Sequence, residues 1–416
     1  MERREWLEQI VRLPVFDTHT HLNAPGVPVT AQTVWDIAHY FWFQEELWSV
    51  GYPRNAPELP EDERIGRFVR ALDAGRNTAW NRIVRRIFGD LYGVEVHDEE
   101  SVRRADEAVR ARAMDPAWAR SVIDRMAVRR ITVNHTRDSD LPGLPGVGVA
   151  VPIWSELPAW AQRISQSRDP RATGEQAGEA IAAVVRGHST AGIRGMRVEA
   201  DPFESGGNRA ASAAGSLPAG PVSTAQAELF LTHALLRTLG EHGMFAQMFL
   251  GIWRDVGAPR DQRRDAGPRT GAVRTAMAVN DPQRIINLYP LFERYECAFE
   301  LVMGSPQNNL DAAQPARIFP HVHVGGLWWY NFRPGTYEEA MQARIEAVPA
   351  GKSAIVASDA RCIEWCYGKV LLVKMLLADF LYEQIERDRI DRDGALWVAR
   401  EWLHDAPARR YLEERR

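Results

Sequence analysis

The feature that most constrains this chain is an alternation. Short apolar runs rich in β-branched residues recur, and each is followed by a longer stretch of helical period. That rhythm predicts a parallel sheet with crossover helices. Eight runs qualify as strands: residues 15–22, 131–135, 147–153, 193–198, 245–251, 297–303, 322–326 and 353–358. Eight strands interleaved with helices in 416 residues fit one α/β domain over residues 1–416, a (β/α)₈ TIM-type barrel. The stretch 61–126 is almost wholly helical in pattern and too long for a simple crossover. It predicts a mostly helical insertion after the first strand, at about 31–128. Thr30 is the expected cap of a helix over 31–50, with Trp35, Ala38, Trp42 and Leu47 on its apolar face.

Composition is ordinary for a globular protein: 45% hydrophobic, 25% charged, formal net charge −4. That balance argues against a nucleic-acid or anionic-membrane partner, either of which favours a strongly basic surface. The N-terminal stretch is charged and lacks the apolar core of a secretory signal. The most apolar run, 370–381, is short and broken by Lys374 and Asp379, so it reads as a buried helix. Cys297, Cys362 and Cys366 are too few for a disulfide framework, which with the missing signal points to the cytoplasm. Cys362 and Cys366 read as neighbours on a helix face. The segments 204–224 and 257–271 are rich in Gly, Ala, Ser, Pro or Arg, and each follows a strand. In a barrel they stand on the active-site face, as surface loops or as a lid.

Asp17-Thr18-His19-Thr20-His21 is the sharpest chemical signal. Alternation in a strand puts Asp17, His19 and His21 on one face. Two imidazoles so placed at a strand end can share a divalent metal, which then needs a further ligand, often a carboxylate. Asp359 follows the last strand candidate, where a barrel carries its catalytic groups. Its competing reading is a helix N-cap. Two imidazoles and a carboxylate suit Zn²⁺ first, and also Mn²⁺, Fe²⁺ or Ni²⁺.

His19-Thr20-His21 with Ser358-Asp359-Ala360-Arg361 resembles the amidohydrolase superfamily. Two further stretches narrow the resemblance to the uronate isomerases: Asp36-Ile37-Ala38-His39-Tyr40 and Gly325-Gly326-Leu327-Trp328-Trp329-Tyr330-Asn331. The first is similar to that family's D-H-Y segment, the second to its G-S-x-W-W-F-N. The resemblance implies His19, His21 and Asp359 as metal ligands, with Asp359 also catalytic. It implies His39 and Tyr40 as active-site groups near the sugar carbonyl and hydroxyls, and Arg361 as partner of the substrate carboxylate. Trp328 or Trp329 would wall the pocket, and Arg197 in Gly195-Met196-Arg197 is similar to the arginine of a G-C-R stretch. Read without the family, His39, Tyr40 and the two tryptophans are packing residues, and Arg361 pairs with Glu364.

One departure stands out. The family's fifth strand reads Q-L-H-I-G, with its histidine at the metal site. Here the run is Gln247-Met248-Phe249-Leu250-Gly251, and phenylalanine cannot bind a metal. His323, two residues before Gly325, is the candidate to compensate, near or on the metal, while His321 reads as structural. The expected activity is aldose–ketose isomerisation of a hexuronate of the D-glucuronate or D-galacturonate type, or of a related sugar acid. The alternatives are a metal-dependent hydrolase of an amide, ester or lactone, and a non-catalytic sugar-acid binding barrel. Self-association into a homo-oligomer is compatible with either enzyme.

Overall fold

A computed structural model describes residues 2–22, 24, 26–134, 138–199, 217, 220–254, 276–278, 283–304, 308–328 and 333–413. The architecture is mixed α/β with parallel sheets. Contacts divide the chain into two compact units. One comprises Met1–Ala150, Phe332–Glu338 and Ile355–Pro407; the other comprises Val151–Asn331, Glu339–Ala354 and Ala408–Arg416.

The first unit holds a parallel sheet in the order β1 (Val15–Thr20), β2 (Val128–Val133), β3 (Gly148–Ala150). Every residue of β1 is buried, including Asp17, Thr18, His19 and Thr20. Between β1 and β2 run the helices Val34–Ala38, Phe41–Ser49, Glu61–Ala74, Ala79–Tyr92, Glu99–Ala113 and Trp118–Met126. The expected single helix over 31–50 is therefore two, broken at His39 and Tyr40. Its start is also set later than Thr30. Thr33 is the cap, and the Asp36 carboxylate accepts the Thr33 N–H at 2.8 Å in a capping box.

The long helix Ile363–Glu386 carries the apolar run, and its charged interruptions have partners. Lys374 Nζ donates to the carbonyls of Val11, Leu13 and Met126 at 2.6–2.7 Å. One ammonium so satisfies carbonyls at the ends of two helices, Arg3–Val11 and Trp118–Met126. Asp379 accepts from Arg3 at 2.7 Å on the surface. Gly368 lies so close to the helix Ala79–Tyr92 that a Cβ would stand 2.6 Å from Ile83 Cγ2, which fixes how near the two helices approach.

The second unit holds a parallel sheet in the order β4 (Gly195–Glu199), β5 (Phe245–Leu250), β8 (Ala298–Met303), β9 (Val322–Val324). An antiparallel pair, β6 (Ile252–Arg254) with β7 (Ala276–Ala278), was not expected from sequence. It begins one residue after Gly251, whose φ of 80° ends β5, so its strands merge with the loop signal around them. The segments 204–216 and 257–271 lie outside the described residues.

Seven of the eight strand candidates form strands, with β2 starting at Val128 rather than 131. The eighth, 353–358, forms bridges and single backbone bonds rather than a continuous strand. In the second unit, Ser353 makes one isolated bridge to Val324 and the Ala354 carbonyl accepts from Arg344 Nη1. In the first unit, Ile355 N–H donates to the Trp402 carbonyl, and the Val356 carbonyl accepts from Thr18 N–H and Oγ1. The described residues contain no helix long and apolar enough to cross a membrane.

Candidate metal centre

His19, His21 and Asp359 come together. Their potential ligand atoms all lie within 4.8 Å of one another. His19 Nε2 and His21 Nε2 each stand 3.0 Å from the same oxygen of Asp359, Oδ1. His19 and Asp359 are buried, and His21, just past the end of β1, is partly open to solvent. Burial alone would push the Asp359 carboxyl up. Hydrogen bonds and charge from the two imidazoles overturn that and hold it well below the usual carboxylate range. Two imidazole nitrogens and an ionised carboxylate converging on one point are the donor set a divalent transition metal takes, so the residues fit such an ion.

Asp359 is not a helix cap. The following helix starts at Ile363 with Cys362 as its N-cap residue. Asp359 instead adopts φ of 55°, the left-handed region that non-glycine residues rarely occupy. Its neighbours hold it there. Asp359 N–H donates to the His19 carbonyl at 2.9 Å, His21 N–H donates to the Ala360 carbonyl at 2.8 Å, and Tyr40 Oη–H donates to the Asp359 carbonyl at 2.9 Å. A strained backbone persists when its surroundings over-determine it, and such residues gather at functional sites.

Asp17 accepts N–H bonds from Ser358 at 2.9 Å and His19 at 3.3 Å, and the Cys366 thiol lies 3.4 Å from its other oxygen. It thereby ties β1 to the residue before Asp359. Burial pushes the Asp17 carboxyl up, against those donors. Lys369 is also buried, and burial pushes its amine down to about 7, opposed by the pull of Asp359 and Asp17. Sequence reading missed Lys369. The signal was a lysine nearly two turns into the helix Ile363–Glu386, just before its most apolar run.

Tyr40 is buried against Trp365, ring centres 4.5 Å apart. Burial and the Asp359 charge raise its phenol well above the usual value, so it stays a proton donor. His39 turns to Tyr52, with Nε2 2.8 Å from the Tyr52 hydroxyl. Burial and the Arg64 guanidinium push the His39 imidazole down to about 4. A histidine that is neutral when folded but has a pKa of 6.5 unfolded binds fewer protons in the folded state between those values. Its contribution to stability is therefore complete above 6.5 and is lost as pH falls toward 4. Urea unfolding at pH 4.5 and 6.5 should show a larger stability gain with pH for the natural protein than for His39→Gln. Equal slopes would contradict this.

Arg361 is exposed, whereas Glu364, the partner of the packing reading, is turned inward. Glu364 is buried and accepts from Ala31 N–H, Tyr92 Oη–H and Trp118 Nε1–H at 3.0, 2.9 and 3.1 Å.

Within the second unit, Phe249 organises the other candidates. The Arg197 guanidinium lies 4.5 Å from the Phe249 ring centre, and Trp328 packs edge-on to it at 4.5 Å. The position where the resemblance expects a histidine thus serves a buried aromatic–cation contact. Gly325 is needed for packing, since a Cβ there would stand 2.7 Å from Val302 Cγ2. His323 lies on β9 in register with Glu300, and His321 Nε2 lies 2.9 Å from the Phe292 carbonyl, a structural contact. Trp329, Tyr330 and Asn331 lie outside the described residues.

No protein-family model matches the chain, and no curated protein does. Solved structures do. The uronate isomerase of Thermotoga maritima is 14% identical with a TM-score of 0.75, the match covering 98% of this chain and 97% of that one. The glucuronate isomerase of Caulobacter crescentus is 15% identical with a TM-score of 0.73, covering 100% and 94%. The uronate isomerase of Bacillus halodurans is 14% identical with a TM-score of 0.71, covering 98% and 95%. Fold and side chains together define a mixed α/β protein with a His-His-Asp site suited to a divalent cation. Its fold is the one these solved isomerases share, end to end.

Proposed function

We propose that this protein is a metal-dependent aldose–ketose isomerase acting on a hexuronate of the D-glucuronate or D-galacturonate type, or on a related sugar acid. The observation that carries the reading is the convergence of His19 and His21 on one oxygen of Asp359, in a chain with the fold of known uronate isomerases. The proposal includes a single (β/α)₈ barrel with the helices after β1 as an insertion, and a cytoplasmic enzyme. His19, His21 and Asp359 would hold the ion, Zn²⁺ first among the candidates. A bound divalent cation supplies Lewis-acid polarisation of a carbonyl or hydroxyl oxygen.

In the isomerisation, the proton on C2 moves to C1 and the proton of the C2 hydroxyl moves to the C1 oxygen, leaving the carbonyl at C2. Asp359, held ionised, and His39, held neutral, are in the state to accept a proton; Tyr40 is in the state to donate one. Arg361, exposed beside the site in sequence, would take the substrate carboxylate through its planar fork. Arg361→Met should raise KM for the uronate by about 10–100-fold, the worth of a charge-assisted pair, and leave metal content unchanged.

The test is metal content by elemental analysis together with ketose formation from D-glucuronate and D-galacturonate on one preparation. Near-stoichiometric metal with turnover supports the reading. Metal without isomerisation would move it to hydrolysis of an amide, ester or lactone. Failure to bind metal after reconstitution would leave a sugar-acid binding protein.

A further inference from the structure

We infer that Asn134 is a positioning residue for His19, setting which imidazole nitrogen carries the proton when a metal is bound. The inference rests on the reading of His19, His21 and Asp359 as metal ligands. β2 runs beside β1, with Val133 in register with Thr20, and the amide of the next residue, Asn134, reaches the ring of His19. Asn134 is 2% exposed. Its Nδ2 lies 3.3 Å from His19 Nδ1. Its Oδ1 is buried and has no hydrogen-bond partner among the described residues. A buried acceptor left unmet is costly, so this oxygen asks for a reason.

The two faces of the His19 ring supply one. Nε2 points to Asp359 Oδ1 at 3.0 Å, the side on which a cation would be taken. With no cation, Nε2–H donates to Asp359, and the bare Nδ1 accepts from the Asn134 amide. Both observed distances fit that state. When Nε2 becomes a ligand it must give up its proton, and Nδ1 must carry one. A histidine bound to metal donates this second N–H to an acceptor, which fixes the ring and raises its basicity. Half a turn about the last side-chain bond of Asn134 exchanges Nδ2 for Oδ1 with almost no change of shape. The unmet oxygen then accepts His19 Nδ1–H. A carboxamide can serve both states, whereas an apolar residue can serve neither.

The test uses the full chain with Zn²⁺ or Co²⁺ as probe and two variants, Asn134→Leu and Asn134→Asp. Metal affinity is measured by competition with a chelator. Asn134→Leu removes the acceptor at similar volume and should weaken binding by about 10–100-fold. Asn134→Asp keeps an acceptor and should bind at least as tightly as the natural protein. A packing role alone would not give that rescue. Natural-strength binding by Asn134→Leu, or equal weakening by both variants, overturns the inference while leaving the metal site standing. No metal binding by the natural protein overturns the metal reading itself, and this inference with it.

Discussion

Asp359→Asn is expected to abolish metal binding at micromolar concentrations and lower isomerase turnover by at least ~10³-fold, while the protein stays folded. The asparagine isolates the charge. It has the shape of aspartate and tolerates the left-handed backbone that Asp359 adopts at φ of 55°. Alanine at that position would add backbone strain and blur the result. What asparagine lacks is the anionic oxygen on which both imidazoles converge at 3.0 Å. Removing an outer partner of a metal ligand typically costs about 10–100-fold in affinity, and removing the carboxylate ligand should cost more. The measurement is metal content and turnover, with circular dichroism to establish folding. Natural metal content and turnover in Asp359→Asn would sink the assignment of this cluster as the metal site.

The cluster was legible in sequence because each part lies on a strand or just beyond its expected end. Period-two alternation put His19 and His21 on one face, and the apolar run ending at Ser358 put Asp359 at a strand's exit. The parallel α/β class followed from the same alternation. What was not legible came from contacts distant in sequence. Asn134 is 115 residues from His19, and its role depends on β2 lying beside β1. Asp17 could be placed on the inward face, but its hold on Ser358, 341 residues away, could not. The break at His39 and Tyr40 was hidden by a helical hydrophobic pattern continuing across it. Tyr40 leaves that pattern because its hydroxyl finds the Asp359 carbonyl, a tertiary bond that overrides local propensity. The run 353–358 has the apolar content of a buried strand, and it makes strand-type bonds at Ser353, Ala354 and Val356, but Arg344 and the backbone of Trp402 bond to Ala354 and Ile355 between them, so no continuous strand forms.

Glu364→Ala should have the opposite signature to Asp359→Asn, a large loss of stability with the metal ligands untouched. Glu364 is a fully buried carboxylate at the start of the helix Ile363–Glu386. One oxygen accepts from Tyr92 and Trp118, and the other accepts the Ala31 N–H. It therefore joins the loop before the first short helix to the helices Ala79–Tyr92 and Trp118–Met126. Truncation leaves three donors without their acceptor, each costing about 1–3 kcal/mol, so a total of ~3–6 kcal/mol is expected after partial relaxation. Set against the 5–15 kcal/mol typical of a domain, that is a fall large enough to leave part of the protein unfolded at 37 °C. Glu364→Gln should lose far less. Its carbonyl oxygen can still serve Tyr92 and Trp118, and only the bond to Ala31 gives way, where an amide N–H would face a backbone N–H. The folded Glu364→Gln protein should bind metal like the natural one. Urea unfolding followed by far-ultraviolet circular dichroism gives the comparison: the midpoint should drop steeply for alanine and slightly for glutamine, with slopes unchanged. An alanine variant within ~1 kcal/mol of the natural protein would mean that water reaches those three donors, and that the carboxylate is not what joins these segments.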